Sequence, residues 1–228
     1  MKQLFPLAWA GLKSRKRSTA LLLSAIILSV TFLVVMGLIG SSSLYTIDRQ
    51  NRDLYGEQKA VAWNLSDEQK SHFEASAVWN EIGKITVYGT VSSETGDFLG
   101  VGTMDETART LGHIRLTEGS WPQAEDEIVL ERSVYKHIGN QPYAVGDMLT
   151  LEMAVAGQET PQSFTFRVVG LMENYTAVWG NAYADNAPEG TSYPPLVSFL
   201  LAEQGAVPSG TAMETWLLNS PSESYAVL

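Results

Sequence analysis

Residues Ala20 to Gly40 read ALLLSAIILSVTFLVVMGLIG, a run of 21 with no charge and no proline, in which Ser24, Ser29 and Thr31 are the only polar side chains. Coiled as an α-helix, such a run reaches about 31 Å at ~1.5 Å per residue, which matches a hydrocarbon core of roughly 30 Å. It exceeds the apolar stretch of a cleaved signal peptide, typically about 7 to 15 residues, so the sequence predicts a retained transmembrane helix. Lys13, Arg15, Lys16 and Arg17 stand directly before it. By the positive-inside rule the N-terminus is cytoplasmic and everything after about Ser41 is extracytoplasmic.

Residues 1–19 then form a cytoplasmic or interfacial segment. Within it, Leu4, Phe5, Leu7, Trp9 and Leu12 suit a short stretch lying in the inner headgroup layer, with Trp9 as anchor. Inside the span, Ala25 with Ser29 and Gly37 with Ser41 have the small-xxx-small spacing that lets a second transmembrane helix approach closely. Ala25, Ser29 and Gly37 are therefore packing candidates, although most apolar runs of this length contain such a pair.

Five of the 15 basic residues fall in the first 17 positions with no acid among them, leaving 25 acids against ten bases in the rest. An ectodomain this acidic repels phosphate backbones, and residues 168–228 hold no Lys or Arg at all, so nucleic acid is excluded as a partner. Its charge favours cationic peptides or basic wall components, if it does more than solubilise. The chain has no cysteine, which removes thiol catalysis, cysteine metal sites and disulfides.

An enzyme needs a nucleophile with a base, or a metal cluster. His72, His113 and His137 are dispersed, with no H-E-x-x-H pair, and no G-x-S-x-G elbow occurs. Glu125 and Glu127 have the spacing of paired carboxylates, which a solvated strand edge explains as well. No catalytic, cofactor-binding or metal residue is assigned.

Beyond the span, Ser41 to Tyr55 reads as the helix emerging from the bilayer or as a stalk. Alternation at Val61, Trp63 and Leu65 predicts a strand over Lys59 to Leu65. Ser66 with Gln69 is a capping box, and Ala75, Val78, Trp79 and Ile82 continue the helical spacing until Gly83 stops it. A second strand follows, with Ile85, Val87, Gly89 and Val91 on one face. Near the end, Glu214 to Asn219 reads as a strand, and Ser220, Pro221 and Glu223 as helix-start signals. Residues 41–96 and 211–228 thus read as the first half, and the start of a truncated second half, of a split, ferredoxin-like α/β subdomain. Residues 97–210 form a β-rich insertion with strands at Phe98 to Thr103, Glu127 to Leu130, Asp147 to Val155 and Ser163 to Met172. The fold class is α+β behind one N-terminal transmembrane helix.

Residues 174–195, NYTAVWGNAYADNAPEGTSYPP, place Tyr175, Trp179, Tyr183 and Tyr193 among Gly, Asn, Ala and Pro. Rigid aromatics on a long loop suit contact with a partner or cargo, and equally suit packing of the loop onto its own domain.

In the insertion, Glu118-Gly119-Ser120-Trp121-Pro122, Asp126-Glu127-Ile128-Val129-Leu130, Val145-Gly146-Asp147 with Leu149-Thr150-Leu151, and Phe166-Arg167-Val168-Val169-Gly170 follow in order after a basic cluster and a span. This series resembles the extracytoplasmic core domain of MacB/FtsX-type ABC transporter permeases of bacterial cell membranes. The resemblance implies a porter-like α/β subdomain interrupted by a β-rich one, three further membrane helices downstream, a separate cytoplasmic ATPase and action as a homodimer or paired permease. It also implies expulsion of peptides, antibiotics or lipoproteins, or activation of cell-wall hydrolases. The chain has no G-x-x-x-x-G-K-[ST] loop of its own. The rival reading is a single-pass membrane-anchored sensor or adhesion module.

Overall fold

The computed structural model describes residues 16–93, 98–139, 141–180, 194–203 and 212–221. The chain divides into two compact units, Met1–Gln50 and Asn51–Leu228. Helix α1, Lys16–Tyr55, runs unbroken for 40 residues, about 60 Å at ~1.5 Å each; it carries the first unit, and its residues from Asn51 on belong to the second. It is long and apolar enough to cross a membrane, and its leucines, isoleucines and valines from Leu21 to Ile39 are exposed along their whole length. Ser29 donates to the carbonyl of Ala25 at 2.9 Å, so the hydroxyl is satisfied within the helix, and a Cβ on Gly37 would meet nothing within 4 Å. Lys2 to Leu12 lies outside the described residues.

Among the described residues, the second unit is a nine-stranded sheet with short helices. Its elements are β1 (Ala60–Trp63), α2 (Asp67–Ala75), β2 (Glu81–Ser92), β3 (Phe98–Met104), α3 (Glu106–Leu111), β4 (Leu116–Gly119), β5 (Glu127–Glu131), α4 (Tyr135–Ile138), β6 (Met148–Val155), β7 (Gln162–Met172), β8 (Val197–Leu201) and β9 (Met213–Asn219). The strand order is β1-β9-β2-β3-β8-β5-β7-β4, and β6 pairs with both β2 and β7. Strand β9 enters between β1 and β2, antiparallel to each, with α2 connecting those two strands. That is the opening of a split α/β arrangement, so the α+β class and the β-α-β unit expected from the sequence are present.

The strands β2, β3, β8, β5, β7 and β6 pair in a closed ring. All six contribute to one core, including Val91, Val101, Phe199, Ile128, Phe166 and Met153. The opposite faces of five of these strands, β2, β3, β5, β7 and β8, through Val87, Met104, Val129, Val169 and Leu200, join α3 and Leu217 of β9 in a second core. The run Ile128-Val129-Leu130 thus divides its side chains between two cores, which is why it reads as continuously apolar rather than alternating.

Two local expectations are corrected. Helix α2 opens with the capping box, Gln69 N–H donating to the Ser66 hydroxyl and Ser66 N–H to the Gln69 amide oxygen, but it ends at Ala75, with Ser76 as its C-cap. Val78 and Trp79 lie in the following loop, and Ile82 already belongs to β2. Their helical spacing arises where a helix, a loop and a strand follow one another within eight residues. Gly83 does not stop the helix. It sits inside β2 opposite Leu217, and a Cβ there would come within 2.5 Å of the Ala108 backbone, so glycine lets α3 lie directly on the strand. Ser222 to Leu228, where the second helix was expected to develop, lies outside the described residues.

Candidate functional site

The residues with most to say about function gather around the last turn of α1, residues 51–55, which belongs to the second unit. Helix termini leave carbonyls without intrahelical partners, and each needs another donor. Here the Arg52 carbonyl accepts from Gly56 N–H at 2.9 Å, the Leu54 carbonyl from the Trp179 indole N–H at 3.2 Å, and the Tyr55 carbonyl from the Gln58 side chain. Gly56 has φ +85°, the left-handed C-terminal position that favours glycine. A Cβ on it would also lie 2.3 Å from the Leu111 carbonyl oxygen. The chain then turns so that Glu57 N–H donates to that same oxygen at 2.7 Å, joining the end of α1 to the end of α3.

Helix α3 ends in its own left-handed residue. Its C-cap is Gly112; His113 N–H bonds the Thr110 carbonyl at 3.2 Å and Ile114 N–H the Arg109 carbonyl at 2.9 Å, which is the Schellman pattern. Histidine occupies the position that usually holds glycine, with φ +52°. The conformation costs a non-glycine residue about 1–2 kcal/mol, and it aims the imidazole at the end of α1. Nδ1 lies 3.8 Å from Asp53 and Nε2 3.5 Å from Glu57, while the Arg115 guanidinium stands 3.6 Å from the same Asp53.

Trp179 covers this junction. A Cβ on Gly112 would fall 2.9 Å from its ring, so the indole rests on bare backbone. Tyr175 meets it edge-on, with ring centroids 5.2 Å apart, and donates its hydroxyl to the Val197 carbonyl at 2.7 Å. The residues between them belong to a helical turn, 176–180, whose first N–H groups point at a buried acid. Glu131, at the end of β5, accepts from Tyr175 N–H, Thr176 N–H and the Thr176 hydroxyl at 2.8, 2.8 and 2.7 Å. Burial pushes its carboxyl above the ordinary range, although these bonds and one from Ser198 favour the charged form.

Of the four aromatics offered as partner or cargo contacts, Tyr175 and Trp179 are 7% and 1% exposed. They pack in their own core, because the loop begins with the helical turn that carries them inward. Tyr183 and Tyr193 lie outside the described residues. The three histidines sit on α2, after α3 and on α4. Glu127 accepts from Gln123 N–H, Ala124 N–H and Arg167, and so holds the turn before β5. The sequence reading did not single out Leu54, Gly56 or Glu131, and it weighed His113 only as one of three dispersed histidines. Gly56 was the available signal, a glycine closing a helix that the polar run Ser41 to Tyr55 already suggested.

Residues 19–203 match the family described as the MacB-like periplasmic core domain. The chain belongs to that family. The permease core domain expected from the ordered motifs is therefore the one present, behind an apolar helix that makes this a membrane-anchored protein. No curated protein matches the sequence. Among solved structures, the core domain is similar to a domain of a Porphyromonas gingivalis protein named as a permease, at 11% identity and a TM-score of 0.36, covering 75% of this chain and 65% of that one. It is also similar to the extracellular domain of the noncanonic ABC-type transporter YknZ from Gram-positive bacteria, at 7% identity and a TM-score of 0.37, covering 70% of this chain and 74% of that one. The chain thus spans just under two thirds of the first of these.

Proposed function

We propose that this core domain and its helix are part of a permease subunit that turns ATP hydrolysis by a separate cytoplasmic ATPase into motion of the extracytoplasmic domain. The N-terminus is cytoplasmic, residues after about 41 are outside the bacterial cell membrane, and the subunit works as a homodimer or paired permease. The reading rests on family membership together with one observation. The last turn of a 40-residue helix has three of its final carbonyls bonded, one of them by a buried indole of the core domain. A helix end tied by backbone and side-chain bonds passes a displacement to the domain, where a loose tether would absorb it.

The cargo of such a subunit is a peptide, antibiotic or lipoprotein taken from the outer face, or the work done is activation of a cell-wall hydrolase. With Tyr175 and Trp179 in the core, Tyr183 and Tyr193 are the aromatics of the loop left for cargo contact. The α/β half, residues 41–96, is completed by the segment starting near residue 211, with residues 97–210 as the inserted β-rich part. Ala25, Ser29 and Gly37 would face another transmembrane helix. The test is co-purification of the complete permease subunit with an ATPase and stimulation of ATP turnover in nanodiscs. Absence of both would sink the reading.

A further inference from the structure

We infer that Glu131 is a positioning residue for the junction between helix and domain: its carboxylate sets the helical turn 176–180, and through it Trp179, on the end of α1. The inference deepens the proposed coupling role and rests on it. Three links connect Glu131 to α1 and α3. Its own backbone is fixed in the sheet, where Glu131 is in register with Met172 and the next residue, Arg132, donates its N–H to the Met172 carbonyl at 3.1 Å. Its two oxygens take the Tyr175 and Thr176 N–H groups and the Thr176 hydroxyl, so the start of the turn has a single orientation relative to β5. The turn then presents Trp179 to the Leu54 carbonyl and to Gly112.

A carboxylate at 3% exposure is an expensive way to satisfy two backbone N–H groups, which a serine or asparagine also accepts. What the carboxylate adds is geometry. One oxygen bridges two successive N–H groups while the other holds the following hydroxyl. Neighbouring bonds fix the same strand exit: Ser133 N–H donates to the Asn174 side chain at 2.8 Å, and Glu173 N–H to the Arg115 carbonyl at 3.0 Å. Arg115 in turn reaches Asp53 on the last turn of α1. Residues 173–179 therefore run as a strap from β7 to the helix end, and Glu131 fastens its middle.

The experiment uses the full chain in nanodiscs with nitrogen-15 in the tryptophan indoles, Trp179→Phe identifying one signal. Hydrogen exchange of the Trp179 and Trp216 indoles is compared in the parent, Glu131→Gln and Thr176→Val. Trp216 is the internal control, being 1% exposed and bonded to Glu214 instead. The expected result is exchange at Trp179 faster by about tenfold or more in Glu131→Gln, and by less in Thr176→Val, with Trp216 unchanged. Trp179 unchanged in both variants, or Trp179 and Trp216 accelerated together, overturns the inference, the second because it reports only general loss of stability. If Glu131→Gln does not fold, Thr176→Val carries the test, and an unmoved Trp179 signal there overturns the inference. Exchange is read without ATP or ATPase, so failure of the coupling reading would show in turnover assays while this measurement stood on its own.

Discussion

At the residue scale the molecule is most exposed to change at Trp179. Its ring is buried, it caps the Leu54 carbonyl, and it lies against backbone that has no side chain to fill a gap. Trp179→Ala should cost about 3–5 kcal/mol of unfolding free energy. Trp179→Phe keeps most of the ring but leaves a carbonyl unpaired, for about 1–3 kcal/mol, measurable by urea denaturation. Three carboxylates make a pH prediction with two windows. Glu131 is raised by burial above its ordinary 4.5, so its stabilising contribution is complete below that value and is lost as pH rises through the folded value. Glu127 is lowered by the Gln123 and Ala124 backbone bonds; Glu214 is lowered on balance, burial being outweighed by its bonds to Lys70 and Trp216. Their contributions are present above 4.5 and disappear as pH falls through the folded values. Thermal melting from pH 3 to 8 should therefore show the parent gaining on Glu131→Gln between neutrality and 4.5, and losing against Glu127→Gln only below it. The same side chains explain why this site was hard to read in sequence. Tyr175 and Trp179 stand in a polar, glycine-containing stretch that looks like an exposed loop, and the groups that hold them inward, among them Glu131 and the Val197 and Leu54 carbonyls, are far away in sequence.

At the scale of elements, the sequence carried most where one periodicity ran uninterrupted. The apolar span, the capping box of α2 and the strands β3, β5, β6, β7 and β9 were all legible within a few residues; β2 was legible as a strand, but the irregularity between Val87 and Gly89 sends Ile85 and Val87 to one core and Val91 to the other, where the sequence put them on one face. Strand β8, Val197-Ser198-Phe199-Leu200-Leu201, was not, because every one of its residues is buried and no alternation marks it. The end of α2 was misplaced for the opposite reason, since a helical spacing persisted by chance across a loop. Gly83 shows the same limit: a glycine required by the approach of Ala108 looks in sequence like a helix stop. The junction of α1 and α3 yields its own prediction. Gly56→Ala meets both a left-handed φ and the Leu111 carbonyl, and should destabilise the domain by more than the ~1–2 kcal/mol of the backbone conformation alone. His113→Gly relieves the same kind of strain at α3, so its melting temperature should hold or rise slightly, while protease cleavage near residues 53–57 should quicken as the contacts to Asp53 and Glu57 are lost.

For the whole molecule, the prediction is about work rather than stability. In a complete permease and ATPase assembly, Trp179→Phe should leave membrane insertion and ATPase binding unchanged, yet lower the cargo released or hydrolase activated per ATP. Tyr183→Ala with Tyr193→Ala should reduce cargo response. Transport per ATP equal to the parent's in both variants would argue against both roles. The ring of six strands bears on a different matter. Sheet edges invite pairing with other chains, a hazard for a protein held at high density on one membrane face. Strands β2, β3, β8, β5, β7 and β6 are paired on both sides, so among the described strands the order ends only at β1 and β4, each four residues long. Crowded neighbours on the same surface thus find little free backbone to template a misassembled sheet.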